Sequence, residues 1–112
     1  MHAIVSLSVP ENGLEDKAVV ENVADRDHLI YVDSDNARCE IVIDAQGLCM
    51  VRDCHDHALR LNLKEDAYAE VMTAEGTLRI EAKVIDFETN NDILVMQYII
   101  NDVTRILKIK YF

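Results

Sequence analysis

Apolar residues recur at every second position over much of this chain, and that period constrains its fold more than any other feature. In the first segment the apolar positions are Ala3, Val5, Leu7 and Val9. Positions 77–84 repeat the same alternation with charged residues between the apolar ones. Successive side chains of a β-strand point to opposite faces of the sheet. The pattern therefore predicts strands with one buried face.

The segment DAQG, residues 44–47, predicts the turn of a first hairpin. Asp44 suits the first position of a type I turn, and Gly47 suits the left-handed position of a three-residue loop with a bulge. This register places Glu40 opposite Arg52, whereas the competing two-residue loop places Glu40 opposite Asp53. We favour the first register because like charges directly opposite one another are destabilising. It predicts a core face made of Cys39, Ile41, Ile43, Cys49 and Val51, with Cys54 outside.

The segment Asn101-Asp102 predicts the two-residue turn of a second hairpin. The resulting register pairs Ile100 with Val103, Tyr98 with Arg105, Met96 with Leu107, and Leu94 with Ile109. One face of this hairpin is then apolar except for Tyr98 and Arg105. Both of these side chains are expected to point inward, near one end of the sheet.

The rest of the chain predicts further short strands in sequence order. They are Ala18–Ala24, Leu29–Asp33 and Ala58–Leu63, and Pro10 with the following Gly-containing turn ends the first strand. Strong helix formers make Ala67–Glu75 ambiguous between helix and strand. Nine or ten strands in 112 residues predict one all-β domain over positions 1–112. Its expected architecture is an antiparallel up-and-down barrel of about 8–10 strands, closed or nearly closed.

Composition narrows the classes of function. The formal net charge is −10, which repels nucleic acid and anionic membrane surfaces. No apolar run approaches the ~20 residues of a membrane-spanning helix, and no basic flank at the amino terminus indicates a signal peptide. The odd number of 3 cysteines favours reduced thiols, so we expect a cytoplasmic protein.

The run RDCHDH, residues 52–57, is the densest group of potential metal ligands. In an extended chain Asp53, His55 and His57 project to one side, where they could bind zinc or iron. The alternative is a solvated loop between two strands. Cys54 next to His55 does not predict a thiolate–imidazole pair, because neighbours in a strand point to opposite faces. The chain has no phosphate-binding Gly-rich loop, nucleophile elbow or Cys-x-x-Cys motif, so we expect no cofactor and assign no catalytic residue.

Arg105 and Tyr98 form the second candidate site. An inward guanidinium beside a phenol could hold a carboxylate or phosphate head group. The alternative is a structural arginine that closes the barrel end through hydrogen bonds to carbonyl or carboxylate groups. The apolar tail of a ligand would lie along Leu94, Met96, Leu107 and Ile109.

The order of hairpins resembles the YwiB-like family, small proteins of Gram-positive bacteria with a calycin-like (lipocalin-like) β-barrel. The resemblance is carried by IVIDAQGLCMVRD, YAEVMTAEGTLRIEAKVIDFE and DILVMQYIINDVTRILKIKY, and it covers essentially the whole chain. Of the family's Thr-Pro-Tyr-Gly-like turn, only Thr73 and Gly76 match. The resemblance implies that Ala67–Glu75 is a strand, and that the barrel interior could hold an apolar ligand. The family has no established activity to carry over.

These observations leave three hypotheses open. The first is a non-enzymatic binding module that holds a small amphipathic molecule or presents its acidic surface to a protein partner. The second is a metal-dependent protein or enzyme that uses Asp53, His55 and His57. The third is a structural or protein-interaction module with a filled barrel, for which an exposed strand edge would be the diagnostic feature. Self-association into a homodimer is compatible with the first and third.

Overall fold

The computed structural model describes residues 1–112, and its secondary structure is almost entirely β. One short 3-10 helix, Pro10–Asn12, interrupts the strands. The strands are β1 (Ala3–Val9), β2 (Leu14–Val20), β3 (His28–Val32), β4 (Arg38–Asp44), β5 (Gly47–Asp53), β6 (His57–Leu63), β7 (Tyr68–Thr73), β8 (Gly76–Thr89), β9 (Ile93–Ile100) and β10 (Val103–Tyr111). None of its helical segments has the length and apolar character needed to cross a membrane.

All ten strands belong to one antiparallel sheet with the order β2-β1-β10-β9-β8-β7-β6-β5-β4-β3. Each of β3 to β10 pairs with its neighbours along the chain, and β1 joins the last strand to β2. No ladder connects β2 to β3, so these two strands are the free edges. The fold is thus a nearly closed up-and-down barrel, which confirms the architecture expected from the period of two.

The two ends of the barrel differ in their packing. The open end carries the turns at 10–13, 33–37, 54–56, 74–75 and 101–102, and the packed end carries both chain termini. A cluster of 17 buried apolar residues forms the core inside the barrel. Its most completely buried aliphatic members are Leu29, Ile41, Leu48, Leu63, Leu94, Met96, Leu107 and Ile109.

Arg26 seals the packed end. Its guanidinium donates hydrogen bonds to the carbonyl oxygens of Asn90 (2.6 Å) and Asn91 (3.2 Å). The same group lies 4.8 Å from the centre of the Tyr111 ring. The Tyr111 hydroxyl in turn donates to the carbonyl oxygen of Arg26 at 2.7 Å. Polar groups satisfied in this way close the barrel at low cost, which leaves the open end as the entrance to its interior.

The second hairpin has the register predicted from its turn. Tyr98 lies opposite Arg105, and the other three predicted pairs are also present. Asn101 and Asp102 both have positive φ values, 51° and 62°. This conformation is that of a type I′ turn, whose twist matches that of the strands it joins. The prediction that Tyr98 and Arg105 share the inward face is therefore confirmed.

The register predicted for the first hairpin is wrong. The loop has two residues, so Asp44 pairs with Gly47, and Arg52 lies opposite Cys39 and not Glu40. Glu40 lies opposite Val51 and Asp53 lies opposite Arg38, so the like-charge pair expected for this loop is absent. The Asp44 carboxylate accepts a hydrogen bond from the amide of Gln46 at 2.8 Å and thereby stabilises the shorter loop. As a consequence the interior face of β5 carries Leu48, Met50 and Arg52, whereas the sequence assigned Cys49 and Val51 to it. Cys54, expected outside, is half-buried.

Two further segments bear on the sequence predictions: one strand has other bounds than predicted, and the segment that was ambiguous between helix and strand is a strand. The second strand spans Leu14–Val20 and not Ala18–Ala24, because the 3-10 helix and Gly13 (φ 70°) reverse the chain at once. Its exposed acidic and basic residues concealed the alternation. Tyr68–Thr73 is a strand that pairs on both sides. Tertiary pairing thus overrides the helix propensity of this segment.

Candidate ligand-binding site at the open end of the barrel

The open end leads into a cavity of about 290 Å³. Its wall is mostly apolar, with a few polar groups that converge on the interior, which is the usual character of a small-molecule site. The lining residues used below are Leu7, Met50, Arg52, Leu59, Tyr98 and Arg105. They come from five strands, so the complete barrel is needed to assemble the wall.

Arg105 carries the one solvent-shielded side-chain polar atom of the structure that has no hydrogen-bond partner. It lies directly opposite Tyr98 on neighbouring strands, and both line the cavity. The Nη1 atom of Arg105 is shielded from solvent and makes no hydrogen bond, and it is the only buried side-chain nitrogen or oxygen in this state. A buried cationic donor without a partner is costly, because it loses hydration and gains nothing in exchange. The guanidinium is therefore free to pair with an anion that enters the cavity.

Tyr98 supplies a neutral hydrogen-bond donor beside this guanidinium. Its side chain is only 1% exposed. Burial raises the pKa of Tyr98 to about 12, although the nearby Arg105 charge acts in the opposite direction. The hydroxyl is therefore protonated at neutral pH and can donate to a head group held by Arg105.

Arg52 is the interior residue that the sequence prediction missed. Its Nε lies 2.6 Å from Oδ2 of Asp33, and its Nη2 lies 3.1 Å from Oδ2 of Asp35. Burial alone would raise the pKa of Asp33, but the hydrogen bonds from Arg52 and from the amides of Ala37 and Asp35 hold it below its usual value. Arg52 is thus already engaged, in contrast to Arg105. The correct register of the first hairpin would have revealed its inward direction.

Two further polar side chains near Arg52 are uncharged. Burial raises the pKa of Tyr31 far above its usual value, and the adjacent Cys39 and Asp33 act in the same direction. Burial also raises the pKa of the Cys39 thiol to about 11, and Asp33 adds to that effect. Both groups therefore remain protonated at neutral pH and contribute no charge to the interior.

A second cavity, of about 230 Å³, forms a side opening between the free edges β2 and β3. Asp16, Lys17 and Ala18 line it from β2, and Tyr31 lines it from β3. Leu7, Met50, Arg52 and Leu59 line this opening and the cavity at the open end alike. The two spaces therefore adjoin inside the barrel and share one largely apolar wall.

No protein-family model, curated protein or solved structure matches this chain. A function can therefore be inferred only from the shape of the interior and from the charges that line it.

The predicted head-group residues Tyr98 and Arg105 line the cavity at the open end, but none of the four predicted tail residues does. Leu94, Met96 and Ile109 are at most 1% exposed and belong to the packed core. Leu107, equally buried, reaches only the side opening. An apolar tail would instead contact residues of β1, β5 and β6 at the open end. The alternation of these strands indicated inward residues but not their height along the barrel axis.

The structure does not bring Asp53, His55 and His57 together. Asp53 and His55 are exposed, and the half-buried His57 forms a 2.7 Å contact between its Nδ1 and Oδ1 of Asp56. The backbone at 54–57 is a tight turn closed by a hydrogen bond from the Cys54 amide to the His57 carbonyl oxygen. No group of three or more His, Cys, Asp or Glu side chains is arranged to hold a metal ion. Within the run RDCHDH, residues 54–56 accordingly form a polar turn at the rim of the open end.

Proposed function

We propose that this protein is a small-molecule binding module that takes an amphipathic anion into the open end of its barrel. The head group, a carboxylate or a phosphate, is held by Arg105 with a hydrogen bond from Tyr98. The apolar part of the molecule lies against Leu7, Met50 and Leu59. No reaction is assigned, because the site contains no pair of groups suited to activate a nucleophile.

The unpartnered Nη1 atom of Arg105 is the observation that carries this proposal. An arginine that only closed the barrel would be expected to donate to a carbonyl or a carboxylate, as Arg26 does at the packed end. Buried polar groups in native proteins almost always have such partners. An exogenous anion completes the pairing that the chain itself does not provide.

The resemblance to the YwiB-like family and a cytoplasmic location are part of the same proposal. The up-and-down barrel is the architecture that the resemblance implies. All three cysteines are free, which suits a reducing compartment.

A direct test compares octanoate, octyl phosphate and octanol as ligands by isothermal titration calorimetry. The variants are Arg105→Met, which removes the charge inside the cavity, and Lys108→Met, which removes an exposed charge on the same strand. At least one anion is expected to bind more tightly than octanol. Its affinity should fall about tenfold or more in Arg105→Met and stay unchanged in Lys108→Met. The proposal is overturned if neither anion binds, or if the loss of Arg105 leaves the affinity unchanged.

A second candidate function is protein interaction through the free edges. Strands with unpaired backbone groups are templates for pairing with another chain. Val19 on β2 is 61% exposed, and Ile30 and Val32 on β3 are 49% and 58% exposed. Native mass spectrometry tests the simplest case, a homodimer. A dimer that dissociates in Ile30→Lys but persists in Ile85→Lys, which lies on β8, would support it, and a monomer at every concentration would count against it.

A further inference from the structure

Three of the four charged side chains that line the cavity at the open end have partners within the protein. Arg60 and Arg79 lie 3.8 Å and 3.4 Å from the Glu70 carboxylate. Arg52 is held by the loop that follows β3. Arg105 is then the one charged side chain lining this cavity that has no partner. A single free cation matches one negative charge, so a carboxylate fits better than a phosphate dianion.

The side opening has the opposite polarity. Lys17 pairs with Glu15 at 3.4 Å, while Asp16 forms neither an ion pair nor a hydrogen bond. Asp16 lies opposite Leu7 in the register of β1 and β2, and it lines the side opening. Asp33 and Asp35 share one arginine, so a second negative charge remains at the same opening. An ammonium group is the complement to such a rim.

We infer that the ligand is bipolar, with a carboxylate at Arg105, an apolar chain along the shared wall, and an ammonium group beside Asp16. Unbranched ω-amino carboxylates are the simplest molecules of this class. The shared wall of Leu7, Met50 and Leu59, along which the two spaces adjoin, would contact the chain of such a molecule. This inference rests on the proposed function, since it presupposes that Arg105 binds an anion.

The experiment compares 8-aminooctanoate, octanoate and octylamine by isothermal titration calorimetry at low ionic strength, where exposed charges are least screened. Each ligand is titrated into the wild type and into the Arg105→Met, Asp16→Asn and Asp86→Asn variants. Asp86 is an exposed residue of β8, so its variant makes the same change in net charge away from the opening. Tyr98→Phe replaces Arg105→Met if the latter does not fold.

The wild type is expected to bind 8-aminooctanoate severalfold more tightly than octanoate, because an exposed ion pair adds a modest gain. That preference should disappear in Asp16→Asn and persist in Asp86→Asn. Arg105→Met should weaken both carboxylates about tenfold or more. Octanoate binding that equals or exceeds that of 8-aminooctanoate, with the Arg105 effect intact, would overturn the bipolar ligand and leave the proposed function standing. If neither carboxylate binds, both the bipolar ligand and the proposed function are overturned.

Discussion

Arg52 and Asp33 form the closest ion pair of the barrel interior, with 2.6 Å between Nε and Oδ2. Their side chains are only 22% and 19% exposed. Asp33 also accepts hydrogen bonds from the amides of Asp35 (2.9 Å) and Ala37 (3.0 Å). The pair thus fastens the loop after β3 to β5, and it fixes the rim between the open end and the side opening.

Replacement of Asp33 by Asn should lower the free energy of unfolding at pH 7 by about 1–2 kcal/mol, because Arg52 loses a charge-assisted hydrogen bond in a partly buried place. Urea denaturation measures the loss, with Asp86→Asn as the control for net charge.

The folded-state pKa of Asp33 lies below its usual 3.8. A carboxyl group whose pKa is lowered by folding stabilises the folded state at pH values above its unfolded-state pKa. This stabilisation is lost as the pH falls through the folded-state pKa. The difference between variant and wild type should therefore shrink below about pH 3.8, and a difference that stays constant there would contradict this assignment.

Replacement of Arg105 by Met should raise the free energy of unfolding of the ligand-free protein by about 1 kcal/mol. The variant removes a buried donor that has no partner and replaces it with an apolar side chain of similar length. Denaturation in urea at neutral pH, with Lys108→Met as the control, gives the measurement. A clear loss of stability in Arg105→Met alone would show that the arginine has a structural partner and is not reserved for a ligand.

Replacement of Gly47 by Ala should destabilise the first hairpin strongly. A Cβ atom on Gly47 would lie 2.1 Å from the carbonyl oxygen of Leu63, and the residue has a φ of +149°. Gly76 provides a matched control, since its φ is +140° but a Cβ there would have no neighbour within 4 Å. We expect a loss of about 3 kcal/mol for Gly47→Ala and about 1 kcal/mol for Gly76→Ala. Equal losses would mean that backbone strain alone, and not the contact with Leu63, determines the cost.

The accuracy of the sequence prediction followed the strength of the local turn signals. Asn101-Asp102 flanked by apolar alternation specifies a two-residue turn, so the register of β9 and β10, with Tyr98 opposite Arg105, was predictable. The first hairpin was ambiguous because Gly47 suits more than one loop. In the observed conformation Gly47 lies against β6, where the Leu63 carbonyl oxygen leaves no room for a Cβ at position 47. A contact between strands that are distant in sequence cannot be read from the turn alone.

This one-residue difference in register had consequences for the site. It turned Arg52 from an expected surface partner of Glu40 into a residue of the interior. The inward direction of Tyr98 on β9 and Arg105 on β10 was predicted from the sequence, whereas the wall formed by β1, β5 and β6 was not. Alternation indicates on which face of the sheet a side chain lies, but the position of that side chain along the barrel axis depends on how all strands are staggered.

Replacement of Asp102 by Gly should stabilise the second hairpin. Both turn residues have positive φ, and at the second position Gly adopts this conformation without the steric cost borne by other residues. The gain is limited by the greater freedom of Gly in the unfolded chain, so we expect about 0.5 kcal/mol. Asp102→Ala removes the same charge but cannot relieve the strain, and it should lower stability by about 1 kcal/mol. Urea denaturation of the two variants side by side separates the two effects: if both change stability in the same direction, charge and not backbone conformation dominates at this turn.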